Sequence, residues 1–444
     1  VRIKKVGGGE GAGIKGEGRK EEESLRSSRI PGFHEMSLEE RLRVVKEFAG
    51  LTDEEVGILR NTGSLGLELA DRMIENVIGA THLPLGVATN FLINGKDYLN
   101  PMALEEPSVV AAASNAARMA RMRYGFRASA DEPVMIGQVQ VCKLRDPQAA
   151  RERILEEKGR ILERANEQDP VLVKAGGGAR DLEVRVLSTR LGPMVVVHLL
   201  VDVRDAMGAN AVNTMCEAVA PLIEELTGGK VYLRIISNLA THRMARAEAS
   251  FPKEALGGEE VVEGILHAHA LAEADPYRCA THNKGIMNGI IAVALALSND
   301  TRALEAGAHA YAALEGYGPL TSWEREENGD LRGRIELPIA AGILGGAVSV
   351  HPVARVCRKI LGVSSARELA EVMAAVGLAQ NLAALRALVA EGIQRGHMRL
   401  HARNVAIAAG ARGDQVEKVV RRMVEERCIR IDRAREILAE LEGG

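Results

Sequence analysis

Aromatic side chains are scarce in this chain. One tryptophan, five phenylalanines and six tyrosines make up 3% of 444 residues, too few for a stacking platform that would hold single-stranded nucleic acid. Charge of either sign is not in excess. The 57 Lys and Arg against 60 Asp and Glu leave a formal net charge of -3, which removes the general electrostatic reason to expect a nucleic-acid partner. Cys142, Cys216, Cys279, Cys357 and Cys428 form no CxxC pair. A thiolate metal site or a disulfide framework is therefore not expected, and a reducing, cytoplasmic setting fits. No run looks long, uncharged and unbroken enough to span a bilayer, and the first residues lack the apolar core of a signal peptide. The reading is of a protein with no membrane and no metal.

Small and aliphatic residues are abundant instead. Hydrophobic side chains make up 46% of the sequence, ordinary for a globular protein, and the length calls for two or three domains. Residues 1–28 stand apart. Gly11, Gly13 and Gly16 have the GxGxxG spacing of a dinucleotide fingerprint, but glycine and charge follow them rather than an amphipathic helix. This stretch is expected to be a disordered extension. Ser37 and Glu40 have capping-box spacing before a helix over 38–48. A second helix runs from Asp53 towards Arg60. A third is predicted over 67–77, with Leu67, Ala70, Ile74 and Val77 on one side. Residues 87–93 read as a strand entering an Asn94-Gly95 hairpin turn. Pro107 and a capping Ser108 open an alanine-rich helix over 109–124.

Composition changes near Asp131. Strands at 134–143, 182–187, 195–203 and 231–236 alternate with a charged helix over 148–166 and a helix whose inner side carries Val212, Met215, Val219, Leu222 and Leu226. That order fits a small split βαβ unit of ferredoxin-like type. Beyond residue 239 long alanine-rich helices return, including one over 369–389. Residues 342–350 read as a flexible glycine-rich stretch, and a charged helical unit closes the chain. The division predicted is 29–132 with 233–391 for a discontinuous large domain, 133–232 for the small domain and 392–444 for a C-terminal flap.

Three groups carry chemistry. Lys284 lies in Thr281-His282-Asn283-Lys284-Gly285, just ahead of the apolar run 290–297. Restricted and partly desolvated there, and held protonated by Asp300 folding back from the far end of the run, it would set a fixed positive charge against a polarised carbonyl oxygen. Glu106 lies where backbone donors converge before a helix, suited to proton transfer. Lys284, Asp300 and Glu106 fit a coupled titrating site, with a structural ion-pair network between domains as the alternative. Asp205, Met207, Gly208 and Asn210 make a strand end, a glycine and a helix start, which suits an anion or a plain capped βα junction. His397 and His401 have HxxxH spacing, but the arginines around them and the lack of an HExxH signature argue against zinc. His397 suits proton donation to a leaving thiolate.

Taken in order, Glu75-Asn76-Val77-Ile78-Gly79, Glu105-Glu106-Pro107-Ser108, Asp205-Ala206-Met207-Gly208-Ala209-Asn210, Thr281-His282-Asn283-Lys284-Gly285 and Gly396-His397-Met398 resemble the 3-hydroxy-3-methylglutaryl-coenzyme A (HMG-CoA) reductase family, in its soluble bacterial and archaeal class II form. The resemblance runs from about Arg29 to the C-terminus. It implies an α+β fold: a mostly helical large domain with a central helix and small sheet, an inserted ferredoxin-like nucleotide-binding domain and a small helical flap. It implies interconversion of (S)-HMG-CoA and (R)-mevalonate plus CoA by two hydride transfers, through mevaldyl-CoA and mevaldehyde. Glu106, Lys284, Asp300 and His397 match the family's catalytic residues. Ser108, Arg278 and Asn288 match its substrate region, and Asp205, Met207, Gly208 and Asn210 its nucleotide corner. Asp169 matches the class's NAD-selecting aspartate, so the cofactor expected is NAD(H), with CoA as co-substrate or product. Arg180, if it met a phosphate, would favour NADP(H). The resemblance further implies a homodimer with active sites between subunits, with room for a trimer of dimers. One subunit would supply Glu106, Lys284 and Asp300 and the other the nucleotide corner. The competing readings are a hydroxyacid dehydrogenase that needs no CoA and a non-catalytic nucleotide-sensing oligomer.

Overall fold

The computed structural model describes residues 27–390 and 402–442. Its first elements are local in origin. Helices α1 (Leu38–Ala49) and α2 (Asp53–Arg60) each open with a complete capping box, Ser37 with Glu40 and Thr52 with Glu55. Helix α3 (Leu67–Asp71) stops well short of the predicted end at 77. Asn76 is left-handed, at φ 55°, and Leu67, Ile74 and Ile78 stay exposed at 63%, 66% and 102%. The apolar spacing that suggested a longer helix therefore has no core to face within one chain.

Strands β1 (Leu85–Ile93) and β2 (Lys96–Ala103) form the predicted hairpin, with Asn94 and Gly95 both at positive φ as a tight primed turn requires. Helix α4 (Val109–Arg121) follows. Ser108 stands at its cap position, yet its φ is 76° and its side chain makes no capping bond. The predicted cap is therefore not used as one. Strand β3 (Arg127–Ala130) then leads into the small unit.

That unit comprises β4 (Val134–Cys142), α5 (Pro147–Glu156), α6 (Lys158–Asn166), the short α7 (Pro170–Lys174), β5 (Gly178–Thr189), β6 (Gly192–Asp202), α8 (Ala209–Thr227) and β7 (Lys230–Ser237). The sheet order is β5-β6-β4-β7, antiparallel throughout, which is the ferredoxin-like order. Val195, Val197, Leu199 and Val201 point alternate side chains into one core beneath the helices. The single helix predicted over 148–166 is two, parted at Glu157. Strand β7 pairs with β4 as far as Ser237, so the sheet continues beyond the boundary predicted at 232.

The returning chain is less helical than predicted. Strands β8 (Met244–Phe251), β9 (Thr321–Arg325) and β10 (Leu331–Pro338) join β3 in a second sheet, ordered β3-β8-β10-β9. The sequence of β8 hid it. Its inward positions are Ala245, Ala247 and Ala249, and alanine signals helix by propensity although here it serves a strand under close cover. Around this sheet lie α9 (Glu259–Ala274), α10 (Pro276–Ala296), α11 (Thr301–Ala312), α12 (Gly346–Val350), α13 (Pro352–Leu361) and α14 (Ala366–Ala390).

Helices α10 and α14 form the centre of the large body. They approach closely where Gly377 meets α10: a Cβ there would lie 2.8 Å from the Ile290 Cδ1. Helix α14 also corrects one expectation, because its 25 residues are long and apolar enough to cross a membrane by length and composition. In the fold it packs against α4, α9, α10 and the sheet, and most of its side chains are buried. The C-terminal part has a separate small core in which residues 402–408, α15 (Asp414–Glu425) and α16 (Ile431–Glu442) bring together Ala402, Ala406, Val419, Met423 and Ile437.

The start of the glycine-rich stretch predicted to be flexible is docked. Ile343 and Leu344 donate to the Asp205 carbonyl at 2.9 and 3.2 Å, and the Gly342 amide donates to Asn299 Oδ1 at 2.8 Å. A Cβ on Gly342 would lie 2.5 Å from the Met207 nitrogen. This glycine is needed for close approach of two backbones.

Candidate active site

Asp275 caps α10 by accepting from the amides of Tyr277 and Arg278 at 3.2 and 3.3 Å, with Pro276 as the first helical residue. The whole lysine motif is therefore inside the helix rather than ahead of it. Helical spacing sets Arg278, Thr281, Lys284 and Asn288 along one face and turns His282, Ile286 and Ile290 into the core. Glu106 reaches that face from the loop before α4. Its Oε2 lies 3.0 Å from Lys284 Nζ and accepts from Asn288 Nδ2 at 3.3 Å. A cavity of about 350 Å³ opens here, lined by Glu106, Ser108, Arg278, Lys284, Asn288 and Gln380 among others. The lysine side chain is 60% exposed and the glutamate 38%. The predicted desolvation of Lys284 is thus absent within one chain. An ion pair this open adds only about 0–1 kcal/mol to stability, so its placement is poorly explained as a structural device.

The floor of this pocket was not foreseen in the sequence. His282, Asn283, Gln380 and Asn381 are all buried. Asn381 Oδ1 accepts from Trp323 Nε1 at 2.9 Å and from Thr321 Oγ1 at 3.0 Å. The indole can only donate, which fixes the orientation of the amide. His282 Nε2 lies 2.8 Å from Thr321 Oγ1 and 3.2 Å from Asn381 Nδ2, which ties the imidazole into the same buried cluster. Burial pushes His282 down to about 3, aided by His269 and Arg278, and keeps it neutral. Asn283 clamps the loop after α11, donating to the Gly318 carbonyl and accepting from the Leu320 amide, both at 3.0 Å. The adjacent amides Gln380-Asn381 inside an apolar helix were the available signal.

A second cavity, of about 520 Å³, is lined by Asp169, Met207, Gly208, Asn210, Asn299, Asp300 and Gly342 among others. It brings together four of the predicted nucleotide residues. Asp205 is engaged elsewhere, since its Oδ1 accepts from the Ala366 amide at 2.8 Å and braces the start of α14. Asp169 caps α7, accepting from the Leu172 amide through Oδ1 at 2.9 Å. Arg180 donates to Asp202 Oδ2 at 3.0 Å and to the Gly176 carbonyl, which ties it down.

Asp300 is a correction. It was expected to fold back onto Lys284, but α10 runs on from Lys284 to Ala296, a rise of about 18 Å at 1.5 Å per residue. Lys284 sits near the middle of α10 and Asp300 lies past its C-terminal end, with a rigid stretch of helix between them. Asp300 caps α11 through the amides of Arg302 and Ala303 at 3.0 and 3.1 Å and pairs with Arg302 at 3.0 Å. Within one chain it belongs to the second cavity. His397 and His401 lie outside the described residues. Among the described residues no three His, Cys, Asp or Glu side chains gather to hold a metal.

Reducing a carbonyl needs a cation against the developing oxyanion and a separate cradle for an anionic dinucleotide. The first cavity presents the Lys284 cation and the second the start of α8. The sequence profile of the family described as Hydroxymethylglutaryl-coenzyme A reductase matches residues 37–402. The 3-hydroxy-3-methylglutaryl-coenzyme A reductase of Archaeoglobus fulgidus is 64% identical over 415 residues, covering 94% of this chain and 95% of the relative. A reductase structure from Streptococcus pneumoniae superposes with a TM-score of 0.80 at 41% identity, over 93% of this chain and 99% of that one. A second structure from that organism, a class II reductase bound to NADPH in open conformations, gives 0.78 at 41% identity over 92% and 100%. The chain belongs to the HMG-CoA reductase family, in its class II form, a family of oxidoreductases in mevalonate metabolism.

Proposed function

We propose that this chain interconverts (S)-HMG-CoA and (R)-mevalonate plus CoA through mevaldyl-CoA and mevaldehyde, using NAD(H), in a homodimer whose active site joins two half-sites. One subunit contributes Glu106, Lys284 and Asn288, and the partner subunit contributes the nucleotide corner and Asp300. The observation that carries this reading is the separation of Lys284 and Asp300 along α10, each lining a different cavity. It revises the expectation that Glu106, Lys284 and Asp300 come from one subunit. Exposed Leu67, Ile74 and Ile78 supply apolar surface that a second copy would cover.

The second cavity fits a dinucleotide. Among the described residues the Met207 and Gly208 amides have no protein acceptor, and they adjoin the positive end of the 19-residue helix α8. A bound nicotinamide supplies the hydride. Lys284 places its ammonium group against the carbonyl oxygen and stabilises the charge that develops there. Glu106, hydrogen-bonded to both Lys284 and Asn288, relays the proton that the aldehyde oxygen takes up in the second reduction. The role proposed for His397 is protonation of the CoA thiolate as it leaves. NAD(H) is favoured because Asp169 Oδ2 has no described partner and lies at the cavity, where a carboxylate accepts from free ribose hydroxyls and repels a 2′-phosphate. Arg180, the alternative phosphate ligand, is engaged with Asp202.

The test is absorbance at the nicotinamide band with mevalonate, CoA and either NAD or NADP. CoA-dependent reduction of NAD is expected. Reduction confined to NADP would overturn the cofactor preference. Turnover without CoA would point to a hydroxyacid dehydrogenase, and no turnover in either direction to a sensing protein.

A further inference from the structure

Arg243 lies between β7 and β8, where the chain leaves the small sheet for the large body. It is 4% exposed, and among the described residues no carboxylate pairs with it. Its Nη1 donates to the carbonyl oxygens of Ala206 and Met207, both at 3.2 Å, and its Nη2 donates to that of Ala341. Burying a guanidinium against neutral acceptors is costly. Burial pulls Arg243 down to about 10, while the nearby Asp202 and Asp205 push it up. The side chain is therefore still a cation at neutral pH.

The carbonyls it holds determine where the neighbouring amides point. In a trans peptide the C=O and N–H point in opposite directions, and no peptide bond here is cis. Drawing the Ala206 and Met207 carbonyls inward therefore turns the Met207 and Gly208 amides away from Arg243. Both residues line the second cavity. Gly342 packs against the same peptide, since a Cβ on it would lie 2.5 Å from the Met207 nitrogen and 2.8 Å from the Ala206 carbonyl carbon.

We infer that Arg243 is a positioning residue for cofactor binding: it fixes the carbonyls of Ala206 and Met207 so that the Met207 and Gly208 amides present themselves to an anionic group such as a pyrophosphate, an inference that rests on reading this cavity as the nucleotide site. Its buried charge adds attraction from behind the loop without touching the ligand. Lysine cannot replace it, because a single ammonium lacks the planar fork that spans three carbonyls.

The experiment is titration of the purified full chain with NADH and with HMG-CoA, together with the KM of each, for Arg243→Lys, Arg243→Gln and Gly342→Ala. Circular dichroism selects the variants that fold. Arg243→Lys should weaken NADH binding and raise its KM roughly tenfold or more, with the KM for HMG-CoA held within about twofold of wild type. Gly342→Ala crowds the same peptide and should reproduce that selective loss, so it carries the test if Arg243→Gln does not fold. Asp169→Ala and Asn210→Ala are controls for the cavity itself. If those two lower NADH affinity while folded Arg243→Lys and Gly342→Ala do not, the inference fails alone. Equal loss of NADH and HMG-CoA in the Arg243 variants also overturns it, because the residue would then be a general structural support. If Asp169→Ala and Asn210→Ala leave NADH affinity unchanged, the assignment of the cavity fails and takes the inference with it.

Discussion

Over its first half α10 presents long side chains to a pocket; past its end it delivers the chain to a corner made largely of backbone. Glu106 and Lys284 meet as flexible groups, 38% and 60% exposed, over a floor of buried amides and a neutral imidazole. Beyond the other end, the Met207 and Gly208 amides are set by carbonyls that Arg243 holds, and Asp300 and Asp169 are fixed as helix caps. The first region suits moving protons, since side-chain acids and bases can change charge during turnover. The second suits holding an anion, since backbone dipoles do not titrate. The rigid helix between them ensures that one chain cannot bring its own two ends together.

The strongest way to break this contrast is Lys284→Ala. A side chain that acts on the developing oxyanion should cost roughly 100- to 1,000-fold in kcat when removed, while NADH affinity and assembly state by light scattering stay unchanged. Loss of NADH binding would show that the two ends are not separate in function.

Mixing two inactive variants tests whether the ends meet across subunits. Lys284→Ala and Asp300→Ala proteins, unfolded together and refolded, should form heterodimers in about half of the dimers, with one of two sites intact. Recovery of about a quarter of wild-type activity is then expected. No recovery above the two parents would mean that both groups serve from one subunit.

Asp169→Ala probes the anion end more gently. It should lower the preference for NAD over NADP roughly tenfold, measured as the ratio of kcat/KM values, because a ribose acceptor and a repulsive charge go together. An unchanged ratio would remove Asp169 from cofactor selection.

How much of this was legible in the sequence follows the range of the interactions. The Ser37–Glu40 capping box and the Asn94-Gly95 turn are settled within a few residues, and the structure has both. The ferredoxin-like order was readable because the small unit alternates period-2 and helical patterns cleanly. Strand β8 was missed since its buried positions are alanines, whose strand character comes only from the cover above them. Helix α3 was overextended because an apolar stripe says nothing about whether the same chain covers it. The Glu106–Lys284 contact joins residues 178 apart and came from motif resemblance, as no local pattern encodes it. Asp300 was misplaced for a geometric reason: its distance from Lys284 is set by an uninterrupted helix, and the sequence pattern had put the lysine outside that helix.

The smallest effect concerns the pocket floor and separates it from the exposed Glu106–Lys284 pair above it. His282 has its folded pKa lowered to about 3 by burial, with His269 and Arg278 adding to the effect. The unfolded chain takes up a proton near the ordinary value of about 6.5. Between those values the unfolded state binds more protons, so stability rises with pH and is lost as pH falls from about 6.5 towards 3. At pH 5 the loss from this one group is on the order of 2 kcal/mol. His269, His198 and His351 are also held below their ordinary range, chiefly by burial, so the whole protein will lose stability on acidification. The difference between wild type and His282→Gln isolates the one residue. The variant should be less stable at pH 8, through the lost contacts to Thr321 and Asn381, yet its midpoint in urea should fall less between pH 7 and pH 5. Parallel falls in the two proteins would mean that His282 is not held neutral in the folded protein.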